Sequence, residues 1–190
     1  MERIIYNHVY NHLMQYKLIY QYQSGFLPKN SSVHQSIELY NTILNSLEEI
    51  RTICCYVFCD FSKAFDKVWH KGLMHKMNCY GIKGNLLKWF ENYLYCRHQK
   101  VVNRDSSPSY VSMSAGVPQG SVLGPLLFLV YINDIGDKLL SLSRLFADDT
   151  SLGYVSQDEA QIKYVINHDL HELGDWSCKE MIDVFQPRQN

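Results

Sequence analysis

Two adjacent carboxylates, Asp148 and Asp149, stand at the centre of the stretch RLFADDTSLGYV. Leu145 and Phe146 precede them, and Leu152, Tyr154 and Val155 follow. Apolar runs broken by two acids read as strand, two-residue acidic turn, strand. Ionised carboxylates held side by side repel, and that repulsion costs free energy unless a cation lies between them. A pair fixed at a hairpin tip by hydrophobic strands therefore points to a bound metal. An ordinary polar turn is the competing reading, since Asp is a common turn residue.

The 190 residues suffice for one sizeable core, or for one domain with a substantial piece of another. The longest apolar run, Leu126 to Ile132, is far short of the roughly 20 residues that a membrane helix needs. The N-terminus, MERIIYNHVYNHLMQYKLIY, is too polar and too aromatic for a secretory signal. These features place the chain inside the cell, in cytoplasm or nucleus, with no membrane partner. None of the six Cys (54, 55, 59, 79, 96 and 178) pairs at the close C-x2-C spacing of a zinc site. They are expected to be free and mostly buried thiols. His168, His171 and Cys178 fall on one helical segment without a fourth ligand, which disfavours a metal cluster there.

Net charge is -1, which argues against a simple basic nucleic-acid module. The distribution is more telling. Residues 60 to 104 hold nine Lys and Arg against three Asp and Glu, and residues 105 to 190 hold five against twelve. A basic middle beside an acidic last half suits a phosphate backbone meeting a metal-loaded face. A solvated helix face dotted with Lys explains the basic segment equally well.

Helical spacing predicts a helix over residues 2–20, with Ile5, Val9, Leu13 and Tyr16 on one side. The segment QSGFLPKNSS, Gln23 to Ser32, reads as a loop. Ser32 and Gln35 form a capping-box start for a second helix. Thr52 to Asp60 reads as a buried strand, and helices follow at about His70–Tyr80 and Asn85–Tyr95. Gln99–Asn103 and Ser109–Ser114 resemble a strand pair. GVPQGSVLGP is a loop leading into an apolar helix, Leu123–Ile135, with Ser121 as a candidate N-cap. After the acidic hairpin, Ser156 and Glu159 form another capping box for a helix to about Trp176, and the tail from Ile182 has room for one strand. The order is that of an α+β fold, an antiparallel sheet with helices on one face.

Asp60 ends the first strand, where an ionised carboxylate is costly unless paired or bound to a cation. If that strand lies beside the acidic hairpin, three carboxylates converge at one sheet edge. Mg2+ takes one or two carboxylates together with substrate phosphates and keeps several waters. Two such ions about 3.5–4 Å apart support in-line phosphoryl transfer.

At this point the motifs assemble. CDFSKAFDKVWH (Cys59 to His70), AGVPQGSVLGPLLFLVYINDI (Ala115 to Ile135) and LFADDTSL (Leu145 to Leu152) resemble, in order and at compatible spacing, motifs of the reverse transcriptases of non-LTR (LINE-type) retrotransposons. QSGFLPKNSS resembles that family's fingers motif, and WSCKEMIDVFQPRQN the segment after the catalytic hairpin. The resemblance implies a right-hand polymerase palm with partial fingers, the thumb absent. Residues 1–51 would be partial fingers, and 52–190 the palm with inserted fingers-side elements. It implies an RNA-directed DNA polymerase that uses two Mg2+ ions, or Mn2+ as substitute, with an RNA template, a DNA primer and deoxynucleoside triphosphates as partners, and it implies the nucleus.

By the same resemblance Asp60, Asp148 and Asp149 are the catalytic, metal-binding acids, with the backbone carbonyl of Phe61 facing a metal. Phe65 matches an aromatic gate that leaves no room for a ribose 2′-hydroxyl, although a core role explains Phe65 as well. Gln119 and Gly120 match a loop against the incoming nucleotide. Gly116, Gly120 and Gly124 would let backbone approach a substrate closely. Lys63, Lys67, Arg97 and Lys100 become candidate contacts to a template–primer duplex. The chain departs from the pattern at Leu27, where the family often has Arg, and at Arg188, where its last motif usually has Lys. The upstream triphosphate-binding fingers segment, the thumb and an endonuclease domain are not in the sequence, so the alternative is a truncated, inactive retrotransposon remnant with at most residual nucleic-acid binding.

Overall fold

The computed structural model describes residues 1–28, 30–48, 51–95, 97–100, 110–182 and 184–185. In chain order its elements are α1 (Glu2–Gln15), α2 (Ser32–Glu48), β1 (Ile53–Phe61), a 3-10 turn (Ala64–Asp66), α3 (His70–Cys79), α4 (Gly84–Leu94), β2 (His98–Gln99), β3 (Val111–Ser112), α5 (Gly124–Ile132), β4 (Leu142–Phe146), β5 (Asp149–Ser156), α6 (Glu159–Glu180) and β6 (Val184–Phe185). They form two compact units. The first comprises Met1–Leu18 and Ala64–Tyr131, the second Ile19–Lys63 and Ile132–Asn190. No helix among the described residues is long and apolar enough to cross a membrane.

The second unit carries a four-stranded antiparallel sheet in the order β4-β5-β1-β6. The strand and helix order predicts this antiparallel α+β sheet, and helices reach both of its faces, α6 on one and α2 on the other. β1 runs one residue past Asp60, because β6 pairs with both Asp60 and Phe61 and so extends the ladder. The strand is less buried than its apolar sequence suggests. Cys59 and Phe61 are buried, whereas Phe58 is 64% exposed. Side chains alternate between the two faces of a strand. Cys59 and Phe61 therefore share a face, on which the Phe61 ring meets Trp176 of α6 edge-on at 5.7 Å. Phe58 and its neighbours Ser151 and Arg144 share the other face. There Arg144 pairs with Glu38 of α2 at 2.8 Å.

Both capping boxes are displaced by one or two residues. Ser31, not Ser32, caps α2, its hydroxyl accepting the His34 N–H at 3.3 Å. Asp158 caps α6 by accepting the Ala160 N–H at 2.8 Å, and Ser156 bonds Gln161 instead. A carboxylate in the last position before the helix competes well with a hydroxyl farther out, because it also meets the positive end of the helix dipole. α6 continues beyond Trp176 to Glu180, since Leu173, Ser177 and Glu180 prolong its buried stripe.

In the first unit, α1 stops at Gln15 rather than near residue 20. The Leu18 N–H turns back to the Leu13 carbonyl at 2.9 Å, with Lys17 at a φ of 52°. α3 and α4 pack together. β2 and β3 pair antiparallel over two residues each, shorter than the expected strands, and residues 101–109 lie outside the described residues. α5 is narrower than the expected Leu123–Ile135 and is buried from Leu126 to Ile132. The thiols depart from expectation too. Of those described, Cys59 is buried, Cys54 and Cys55 are half-buried, and Cys79 and Cys178 are exposed, because the last two lie on the outer faces of α3 and α6.

Candidate active site

The β1–β5 ladder ends at Cys59 opposite Thr150, so Asp60 follows beside the start of β5, where Asp149 is the first residue. Alternation then puts Asp60 and Asp149 on the same sheet face as Phe58. The hairpin turn differs from its sequence reading. Its central residues are Ala147 and Asp148, while Asp149 already belongs to β5 and pairs with Phe146. Only Ala147 of the two central residues has a positive φ, 57°.

The fold brings Asp148 and Asp60 within electrostatic reach of Asp149. Burial raises the pKa of the Asp149 carboxyl above its ordinary value, and the charges of Asp148 and then Asp60 push the same way. A cation would relieve that crowding, and an all-carboxylate donor set is the kind that hard divalent ions prefer. Among the described residues no three acidic, His or Cys side chains form a ready metal cage. An ion that keeps waters and takes substrate phosphates does not require one. Phe61 continues the strand, pairs with Val184 and buries its ring. Lys63 follows, exposed, with a φ of 54°. A cleft of about 340 Å³ opens on this face beside Asp149, lined also by Leu39, Phe58, Arg144 and Phe146.

The first unit holds the remaining candidates. Phe65 lies in the 3-10 turn and stacks on Phe128, with ring centroids 4.6 Å apart and planes at 17°. The loop that follows β3 is fastened to this turn. Val117 N–H donates to the Phe65 carbonyl at 2.8 Å and Gly116 N–H to the Val68 carbonyl at 2.9 Å. A His70 ring nitrogen meets the Gly116 carbonyl oxygen at 2.7 Å. Gly116 has a φ of +92°, and a Cβ there would lie 2.9 Å from the Asp66 carbonyl oxygen. The Gln119 amide donates to Asp66 Oδ1 at 2.9 Å, which fixes which way that amide faces.

Of the three glycines expected to approach a substrate, Gly116 and Gly124 instead approach the protein's own backbone, and Gly120 alone faces open space. Ser121 does help start α5, accepting the Gly124 N–H at 2.9 Å. Arg97 lines a cleft of about 440 Å³ together with Asp66, His98 and Gln119. Its guanidinium also covers the Tyr93 ring at 4.5 Å, and Lys100 lies over Tyr110 at 5.1 Å. Lys67 is half-buried. Asp66 and His70 went unnoticed in the sequence reading. Their partners lie 53 and 46 residues away, beyond any local signal.

The family model described as reverse transcriptase (RNA-dependent DNA polymerase) matches residues 1–181. The chain belongs to the reverse transcriptase family. Among curated reverse transcriptase relatives, it is 32% identical over 202 residues to the probable RNA-directed DNA polymerase from transposon BS of Drosophila melanogaster, covering 99% of this chain and 21% of that protein. It is 30% identical to the RNA-directed DNA polymerase from mobile element jockey of Drosophila funebris, covering 97% of this chain and 21% of that one. The reverse transcriptase chain thus spans about a fifth of the length of these relatives. They bear out the likeness to non-LTR retrotransposon enzymes read from the motifs.

Solved structures agree on the fold. Apo telomerase from Candida tropicalis superposes with a TM-score of 0.71 at 10% identity, covering 97% of this chain and 35% of that one. Telomerase from Candida albicans, in complex with the TWJ fragment of telomeric RNA, gives 0.64 at 14% identity, covering 94% and 33%. The fold is that of a right-hand polymerase. Reverse transcriptases as a family use divalent metal ions.

Proposed function

We propose that this reverse transcriptase chain performs RNA-directed DNA synthesis, adding a deoxynucleotide to the 3′-hydroxyl of a primer on an RNA template. The observation that carries this reading is the set of three carboxylates sharing one field at the end of an antiparallel sheet. In the reaction the primer 3′ oxygen bonds to the α-phosphorus of the triphosphate. The bond from that phosphorus to the bridging oxygen breaks, pyrophosphate leaves, and the hydroxyl proton passes to solvent. Asp60 and Asp148 are the principal ligands and Asp149 the supporting one, with the Phe61 carbonyl as a further oxygen. Two Mg2+ ions, replaceable by Mn2+, would supply activation of the hydroxyl and stabilisation of the leaving oxygen.

Gln119 and Gly120 face the incoming nucleotide in this reading. The Asp66 contact supports a role for Gln119, because it holds the amide in one orientation. Lys63, Lys67, Arg97 and Lys100 are the candidate contacts to template–primer phosphates. Residues 1–51 serve as partial fingers and 52–190 as palm, acting in the nucleus. The relatives' names and the RNA-bound telomerase support an RNA template.

The test is primer extension on an RNA template with Mg2+. It is run with the chain alone and with the chain replacing the matching segment of the transposon BS relative. Extension that requires the complementary deoxynucleotide is expected, and no extension in either form refutes the reading. Phe65→Val should raise ribonucleotide incorporation relative to deoxynucleotide by about 10- to 100-fold, the discrimination available from filling a pocket. Unaltered sugar selectivity would remove Phe65 from the gate.

A further inference from the structure

The turn that carries Asp148 is strained. Its first central residue, Ala147, has a φ of 57°. Hairpin turns that need a positive φ at this position ordinarily use Gly, Asn or Asp, and another residue held there is strained. Ala147 is also 6% exposed, so its N–H needs a partner inside the protein.

That partner is Gln23. The segment around it runs along the outer edge of β4. Leu145 N–H donates to the Tyr22 carbonyl at 3.0 Å, and Ser24 N–H returns to the Leu145 carbonyl at 2.8 Å. The Gln23 side chain, 4% exposed, turns inward. Its Oε1 accepts the Gly25 N–H at 2.8 Å and the Ala147 N–H at 3.3 Å. Gly25 makes the approach possible, since a Cβ there would stand 2.1 Å from the Ala147 nitrogen. One amide oxygen therefore ties the QSG segment to the peptide immediately before the acid pair. An amide does this without adding a negative charge beside Asp148 and Asp149, as a carboxylate would.

We propose that Gln23, with Gly25 giving it room, is a positioning residue for the metal-binding turn. It holds Ala147 in its strained conformation, and through Ala147 it sets the direction in which Asp148 projects. This rests on the metal-binding reading above and deepens it, assigning a purpose to the QSGF motif that the chemistry had left unused.

The test uses the 190-residue chain and backbone amide NMR, with Mn2+ as the probe. In the wild type, Ala147 N–H exchange should be slow, and Mn2+ should broaden the amide signals of Asp60, Asp148 and Asp149. Gln23→Met should speed Ala147 exchange. It should also raise the Mn2+ concentration needed for broadening about tenfold, the factor that one hydrogen bond typically carries. Adding Ala147→Gly to Gln23→Met should restore the Mn2+ midpoint, because glycine adopts the turn without a brace. A packing role for Gln23 predicts no such rescue.

Should Gln23→Met not fold, Gln23→Asn replaces it. Its carbonyl is one methylene too short to reach Ala147, and the same shift and rescue are expected. Unchanged Mn2+ dependence in a folded Gln23 variant overturns the brace alone. Absence of broadening at the three acids in the wild type overturns the metal reading, and the brace with it.

Discussion

Asp148→Ala should reduce primer extension by about a thousandfold or more while leaving the fold intact. The turn projects Asp148 at the hairpin tip, half-buried and beside the first residue of β5. Divalent ions in such sites stabilise transition-state charge by several kcal/mol, and each 1.36 kcal/mol is about tenfold in rate. Removing Asp148, a principal ligand in the proposed metal centre, should forfeit most of that. Asp148→Asn keeps the shape of the side chain but not its charge, and should lose nearly as much. Because Asp148 lies at a turn tip, thermal unfolding of either variant should shift by no more than about 2 °C, within the range of surface substitutions. Extension retained within tenfold of wild type in Asp148→Ala would remove Asp148 from the metal centre.

The largest loss of stability is expected at a residue with no part in the chemistry. Asp169 lies in α6, is 0% exposed, and accepts the backbone N–H groups of Leu140 at 2.9 Å and Ser141 at 2.8 Å. The His168 ring lies 3.0 Å away. These contacts pin the chain as it enters β4, the strand that leads to the turn carrying Asp148. Asp169→Ala strands both backbone donors and should cost about 2–4 kcal/mol, or roughly 5–15 °C in Tm for a chain of this size.

The effect carries a pH signature. Burial alone would raise the Asp169 carboxyl, but the hydrogen bonds from Leu140, Ser141 and His168 outweigh it and hold the pKa below its ordinary 3.8. A carboxylate with a depressed folded pKa adds stability above its unfolded pKa, and that stability is lost as pH falls through the folded value. The wild type should therefore lose stability below about pH 4 in part through Asp169, and Asp169→Asn should flatten that portion of the acid limb. Coincident acid-unfolding curves for wild type and Asp169→Asn would contradict the assignment.

The hairpin, its acids and the strand ending near Asp60 were legible in the sequence because apolar periodicity and local charge are short-range signals. The α+β order was legible for the same reason. The register of the turn was not. Ala147 carries no turn signal of its own, and the partners of its backbone, Gln23 and Gly25, lie more than a hundred residues earlier in the chain. The caps of α2 and α6 moved because adjacent polar residues compete for the same N–H groups, and sequence alone does not rank Ser31 over Ser32 or Asp158 over Ser156. Asp66 carried no signal of its own, because its partner Gln119 lies 53 residues later. Cys178 belongs to a set of thiols expected to be mostly buried, yet α6 turns it outward. For the turn and for Asp66 the missing information was a tertiary contact.

The central claim is that Asp60, from one strand, and Asp148, from a turn 88 residues later, serve one metal centre. Mn2+ binding followed by electron paramagnetic resonance, with a deoxynucleoside triphosphate present, tests it most directly. The account predicts that Asp60→Asn and Asp148→Asn each weaken Mn2+ binding, and that the double variant weakens it by less than the product of the two single effects, as expected for ligands of a shared site. Binding that ignores Asp60→Asn, or two single effects that multiply independently, would contradict it.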